Sequence, residues 1–223
     1  MNSWLNKLKI ELVGDGWFGL LFIAAGLATQ VASYLLTDSS ALSLVCGMLG
    51  IIGVVLYSQK KMSAYVFSFG QLFLYVYLAW QQHLWGEVVE NVFYFVTMFG
   101  GMFVWLRHYK STTETSEVET LELSKPWFYA ILAATAIIIG GLYMVLRITN
   151  DSQPFMDSLT TVPAFVAQIL LMLRYRENWL FWAIINVASI ALWAIAEDYC
   201  LMVQYIFWTI NCAYGYHLWK SAK

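Results

Sequence analysis

Trp179, Trp182 and Asn186 stand three and four residues apart in the otherwise apolar run from Glu177 to Trp193, and Ser189 continues the same helical stripe. Indole faces stack and a carboxamide both donates and accepts, so this stripe is equipped for recognition and not for breaking bonds. Asn186 cannot face lipid without loss, because an unpartnered amide in an apolar medium is costly; it must meet another helix or a wet cavity. Counting about 1.5 Å per residue inward from the membrane faces brings Gln71, Tyr94, Asn186, Trp208 and Asn211 to one level near mid-depth. Aromatic rings beside amides suit a flat cationic heterocycle: the ring stacks, the charge gains about 0.5 to 2 kcal/mol of cation–π attraction, and the amides bind polar substituents. Glu90 and Asn91 lie nearer the outer end of their span, where an acid concentrates cations at the entrance.

The elements that must position these residues follow from composition. The chain has 223 residues, of which 61% are hydrophobic and only 12% charged, with mean hydropathy +0.64. That is too apolar for a soluble domain and marks a polytopic membrane protein. Charge-free windows near the roughly 20 residues needed to cross a bilayer predict eight spans. They cover about 16–36, 40–58, 62–80, 88–105, 127–146, 155–173, 178–196 and 200–219. Residues 1–15 mix charges with Trp4, Leu5, Leu8 and Leu12, an amphipathic segment suited to the inner membrane surface. In span 2, Gly47, Gly50 and Gly53 offer a face for close helix approach. The polar interval Arg107–Lys125, rich in Thr, Ser and Glu, reads as a flexible connection.

Orientation follows the basic residues. With both termini inside, Lys7, Lys9, Lys60, Lys61, Arg107, Lys110, Lys125, Arg174, Arg176, Lys220 and Lys223 are all cytoplasmic, and Arg147 is the exception.

Internal repetition is the next expectation. Ser63–Gln71 aligns with Asn178–Asn186, placing Phe67 on Trp182 and Gln71 on Asn186. Glu90, Phe93, Tyr94, Thr97, Gly101 and Trp105 fall on Gln204, Phe207, Trp208, Asn211, Gly215 and Trp219 at constant offset. Spans 2–4 therefore repeat as 6–8, with span 5 as the link, giving parallel halves of the kind found in SWEET-type transporters. The corresponding divisions are an N-terminal segment (1–15), an extra transmembrane helix (16–39), a first repeat (40–106), a linker with the linking helix (107–150) and a second repeat (151–223).

Several residues have plainer readings. Trp4, Trp17, Trp80, Trp85, Trp105, Trp127 and Trp219 sit near span ends, where interfacial anchoring is the default. Mid-span amides also serve to hold helices together. His83, His108 and His217 lack a second ligand at helical spacing, and Cys46, Cys200 and Cys212 read as small core residues, so no metal or cofactor is expected. Glu197 and Asp198 read as a solvated turn. No convergent His/Asp/Ser set or phosphate-cradling glycine loop points to an enzyme, and nothing points to nucleic acid.

The run RENWLFWAIINVASI, with PFMDS before it and QYIFWTIN and Tyr214-Gly-Tyr216 after it, resembles the second half of the PnuC family of vitamin transporters, and the similarity extends from about Ser40 to the C-terminus. The resemblance implies an all-α, eight-helix protein of the bacterial inner membrane: an extra N-terminal helix and a three-plus-one-plus-three bundle. It implies a cationic B-vitamin or precursor as substrate, nicotinamide riboside first and thiamine second, and leaves a homotrimer as the implied assembly. Against the family pattern, Gly70, Gln71 and Met98 occupy first-half positions where asparagine is common, while Gln168 and Glu90 are peculiar to this chain and join Trp179, Trp182, Asn186, Trp208, Asn211, Gln71, Tyr94 and Asn91 as candidate substrate contacts. A sugar carrier is the remaining alternative. The span centres hold no ionisable residue, which predicts facilitated diffusion followed by trapping through a cytosolic kinase.

Overall fold

The computed structural model describes residues 11, 16–36, 40–81, 85–111, 116–149, 154–195 and 199–220. The N-terminal segment apart from Glu11, the turn at His83, the loop at Asn150 and Asp151, and the turn at Glu197 and Asp198 lie outside the described residues. Within them are eight helices: α1 (Gly16–Leu36), α2 (Ala41–Ser58), α3 (Ser63–Gln81), α4 (Trp85–Arg107), α5 (Lys125–Ile148), α6 (Pro154–Met172), α7 (Asn178–Ile195) and α8 (Tyr199–Leu218). All eight coincide with the expected spans. Four of them, α1, α2, α5 and α6, are long and apolar enough to cross a membrane. The chain is a multi-pass membrane protein.

Local chemistry explains several ends. Ser40 caps α2, its Oγ accepting from the Ser43 amide at 3.0 Å. Ser124 precedes α5 with Pro126 in the first turn, where the missing N–H is harmless. Helices α2 and α6 end in tight turns whose last residues, Lys60 and Arg174, adopt φ of 60° and 68°. In both turns the amide of that residue bonds to the carbonyl three back, Tyr57 or Leu171, and the next amide to the carbonyl five back, Leu56 or Leu170. This is the C-terminal closure that satisfies orphan carbonyls.

These turns are the first of a series of contacts that recur 114 residues apart. Trp105 donates its indole N–H to the Leu171 carbonyl at 3.1 Å, and Trp219 donates to the Tyr57 carbonyl at 3.1 Å. The Tyr65 and Trp105 rings meet edge-on at 5.4 Å and 89°, those of Trp179 and Trp219 at 5.6 Å and 89°. A Cβ on Gly101 would strike the Tyr65 hydroxyl, and one on Gly215 would fall inside the Trp179 indole. Trp105 and Trp219 touch at 5.6 Å between centroids. Both are fully buried, so the expectation that they anchor the membrane interface is wrong. Their N–H groups are needed inside to hold α4 to the end of α6 and the end of α8 to the end of α2. Trp80 and Trp127 do lie exposed, at 57% and 67%.

The same contacts correct the alignment of α3 with α7. Backbone bonds Ala64 to Lys61 and Asn178 to Tyr175 are equivalent, so Ala64 matches Asn178, and Leu72, not Gln71, matches Asn186. The sequence match slid by one because a buried leucine carries none of the polar character that guided it.

The interval after α4 is not the free connection its composition suggests. Strands β1 (Tyr109–Ser111) and β2 (Ser116–Val118) pair antiparallel, and the chain then runs as a strap across both helix-end turns. The Val118 amide bonds to Lys60 O at 3.0 Å and the Leu121 amide to Arg174 O at 2.8 Å. Ion pairs Lys60–Glu117 (2.7 Å) and Arg176–Glu122 (3.1 Å) flank these bonds, Arg174 donates to Glu119 O at 2.6 Å, and Thr120 donates to Trp219 O at 3.1 Å. Burial lowers the Arg174 pKa from its ordinary value and the Glu119 carboxylate opposes the shift. A polar segment without a core of its own is thus ordered by helix-end carbonyls that need donors. On the same side, Glu11 accepts from the Ser63 amide at 2.8 Å and from Tyr109 Oη at 2.9 Å.

The glycines of α2 admit two neighbours: Gly50 and Gly53 abut Gln71 and Ser68 of α3, while Gly47 abuts Gln30 of α1. Helix α5 packs on α6 and otherwise shows the membrane an apolar surface including Trp127, Ile137, Met144 and Ile148.

Candidate functional site

The stripe on α7 points inward. Trp179, Asn186 and Ser189 are buried and Trp182 is half-buried, whereas Val187 is exposed. Trp182 meets Tyr94 of α4 with ring centroids 6.1 Å apart and planes inclined at 58°. Tyr94 Oη donates to Glu90 Oε1 one turn away, which fixes both the phenol and the acid. Asn91 beside them is buried. One turn along α4 in the other direction, Thr97 Oγ1 accepts from Gln168 Nε2 of α6 at 3.1 Å. Glu90, Tyr94 and Trp182 are therefore drawn together where α4 meets α7, and Gln168 of α6 bonds to α4 one turn further along. The arrangement offers ring faces, an acid and an amide, which can hold a flat cation with polar substituents.

The other predicted residues are placed differently. Asn186 donates to Cys212 Sγ of α8 at 3.3 Å. Asn211 is fully buried and committed at both ends of its amide: Nδ2 donates to Val54 O at 3.4 Å and Oδ1 accepts from Ser58 Oγ at 3.0 Å. Trp208 packs beside a cluster of Ile51, Val55 and Phe207 and stacks edge-on with Tyr205 at 5.1 Å. Gln71 lies against Gly50. These three surround α2, on the opposite side of the bundle's two related interfaces. Trp179 is enclosed by Trp219 and Gly215, part of the seal at the strap end.

Sequence reasoning passed over Cys212 and Ser58, the partners of the two asparagines. A signal existed for Cys212, which a helix aligned to α7 brings opposite Asn186; a cysteine is read as core by default, and here it is core and acceptor at once.

A family model described as "Nicotinamide mononucleotide transporter" matches residues 40–221. The chain belongs to this transporter family. It is 34% identical over 221 residues to the nicotinamide riboside transporter PnuC of Haemophilus influenzae, covering 96% of this chain and 95% of that one. Identity to the protein of the same name from Neisseria mucosa is 31% over 224 residues, with 96% and 85% covered, and to that from Escherichia coli 28% over 208 residues, with 83% and 87% covered. A crystal structure of the vitamin B3 transporter PnuC superposes with TM-score 0.81 at 29% identity, over 98% of this chain and 96% of that one. The family expected from the ENWLFWAIIN run is thereby established, and the helical bundle with it.

Proposed function

We propose that this protein carries nicotinamide riboside across the bacterial inner membrane by facilitated diffusion. The observation that carries the reading is the Trp182–Tyr94 ring pair with Glu90 bonded to the tyrosine, a setting for a pyridinium ring. The relatives' names supply the vitamin. No lysine or arginine occupies the middle of any helix, so a phosphate dianion would enter unpaired; the charge balance favours the nucleoside over the mononucleotide. Thiamine, the alternative, draws its support from the asparagines absent at Gly70, Gln71 and Met98 and from Glu90 as an acceptor for an exocyclic amine; Glu90 accepts from Tyr94 Oη.

The recurring contacts support two parallel three-helix units, residues 40–106 and 151–223, joined through the strap and α5 as in SWEET-type carriers, with α1 added. Basic residues at the strap end support a cytoplasmic position for that end and for both termini. A cytosolic kinase would then trap the substrate. A homotrimer would cover part of the exposed α5 face, and native mass spectrometry of the detergent-solubilised protein reads the assembly directly.

Calorimetry on purified protein tests the substrate. Nicotinamide riboside should bind at least about tenfold tighter than thiamine or the mononucleotide, a difference near 1.4 kcal/mol. Equal or reversed affinities would sink the assignment. In proteoliposomes, radiolabelled riboside should equilibrate without accumulating under an imposed proton or sodium gradient; concentrative uptake would exclude facilitated diffusion.

A further inference from the structure

The strap crosses the end of the bundle with its side chains alternating. Val118 and Thr120 turn inward, 1% and 8% exposed, while Glu119 and Leu121 face outward. Val118 joins the buried cluster that holds Trp105 and Trp219, and Thr120 donates to Trp219 O at 3.1 Å, so the segment lies directly on the paired indoles. It is fastened at both edges. On one, the Val118 N–H donates to Lys60 O in the α2–α3 turn at 3.0 Å; on the other, Leu121 donates to Arg174 O at 2.8 Å and accepts from the Arg176 N–H at 2.9 Å in the α6–α7 turn. The Val118 and Leu121 amides are three residues apart, a reach of about 11 Å at full extension. While both fastenings hold, the two turns cannot part further than that reach allows, and the indoles stay covered.

The fastenings are unequal. On the α6–α7 turn, Arg174 Nη1 donates to Glu119 O at 2.6 Å, Arg176 pairs with Glu122 at 3.1 Å, and Glu177 accepts from the Leu123 N–H at 3.1 Å. Arg174 and Glu177 are both buried, where charge-assisted bonds are strong. On the α2–α3 turn, the described residues add the Lys60–Glu117 ion pair at 2.7 Å, whose glutamate side chain is 42% exposed and screened by solvent. The start of the strap is held in addition by β1, through the Tyr109–Val118 pairing and the bond from the Glu119 N–H to His108 O at 3.2 Å. Strand β1 follows directly on α4, which Trp105 ties to the end of α6. Strap, α4 end and α6–α7 turn thus form one connected piece, and the α2–α3 turn is the neighbour that it grips most lightly.

Resting on the reading of this chain as a riboside carrier, we infer that the strap is the gate at this end of the pathway: it releases the α2–α3 turn and stays on the α6–α7 turn when substrate passes. A carrier opens its two ends alternately, and the contacts that yield are drawn from the least stable ones. Loss of the Val118–Lys60 bond and the Lys60–Glu117 pair frees the strap along one edge. Val118 is then uncovered, while Thr120 keeps its bond to Trp219 O.

Two reversible bridges in proteoliposomes test the gate. Lys60→Cys/Glu117→Cys and Glu122→Cys/Arg176→Cys replace the two ion pairs, and a short bis-methanethiosulfonate reagent joins each pair. Reductant removes the bridge, so every variant is its own control, and native protein treated alike reports reaction at Cys46, Cys200 and Cys212. Bridging the first pair should slow equilibration of radiolabelled riboside about tenfold or more, reversibly, and bridging the second should leave the rate within about twofold. Undiminished transport across the first bridge overturns the inference, and so does equal arrest by both. A readout without substrate is maleimide labelling of Val118→Cys and Thr120→Cys, above the native background. Static burial would make Thr120→Cys the faster; release of the Lys60 turn should make Val118→Cys faster by about threefold or more. Equal or reversed order overturns the gate, also where a bridged variant does not fold. If native protein carries no riboside and Val118→Cys still leads, the gate stands and the riboside reading fails.

Discussion

The strap end and the contacts deeper in the bundle teach opposite lessons about positions 114 residues apart. At the strap end the halves agree contact for contact: Trp105 with Leu171 and Trp219 with Tyr57, Tyr65 on Trp105 and Trp179 on Trp219, Gly101 and Gly215 each receiving a ring. Away from the strap the agreement ends. Asn211 bonds to Ser58 and Val54, whereas Gln168 bonds to Thr97. Sealing an end needs only matched rings and saturated carbonyls, which symmetry supplies. Recognising a substrate that has no symmetry of its own requires that the two interfaces differ.

The largest expected effect breaks the matched end. Gly215→Val would drive a branched side chain into the Trp179 indole and should cost upwards of about 3 kcal/mol, abolishing the monodisperse peak in fluorescence-detected size-exclusion chromatography. Gly101→Val meets a phenol oxygen together with Met172 and should be nearly as damaging; a well-folded Gly215→Val would show that the seal is looser than its geometry.

Next in size are the two indole N–H groups. Trp105→Phe and Trp219→Phe each remove a buried indole donor and leave a void where a fully buried ring was, and should cost about 1 to 3 kcal/mol. Because the rings touch, the double variant should depart from additivity by at least about 0.5 kcal/mol in thermal melts. Strict additivity would mean that the two halves are sealed independently.

The mid-depth site should respond in binding and not in folding. Trp182→Ala should lose about 1 to 3 kcal/mol of substrate affinity through the missing stacking face, with its melting temperature nearly unchanged because Trp182 is only half-buried. Isothermal titration beside a melt separates the two; normal affinity would show that the ring pair faces no substrate.

The smallest effect sharpens the comparison within the strap. Lys60→Gly relieves a left-handed backbone, worth about 1 kcal/mol, and gives up an ion pair worth roughly as much or less, so stability should hardly move. Arg174→Gly gains the same backbone relief but loses a charged donor to Glu119 O in a buried position, and should cost about 1 kcal/mol net by thermal melt. Equal responses would mean that the strap grips both turns alike.

Eight helices and the family were readable from the chain because both rest on properties carried by single residues: hydropathy over a window of bilayer length, and the spacing of tryptophan and asparagine in Glu177–Trp193. The inward aim of Trp179, Trp182, Asn186 and Ser189 was readable for the same reason, since a polar stripe on an apolar helix has one economical direction. What lay beyond the sequence is whatever depends on a partner far along the chain. Trp105 and Trp219 have the composition and location of interfacial anchors, and only the approach of the Leu171 and Tyr57 carbonyls makes them a seal. The Thr- and Glu-rich connection has the composition of a free linker, and only two helix-end turns with spare carbonyls make it a strap. Asn211 and Gln168 were equal candidates as amides; only the helices opposite decide what each one bonds, Ser58 and Val54 for one and Thr97 for the other.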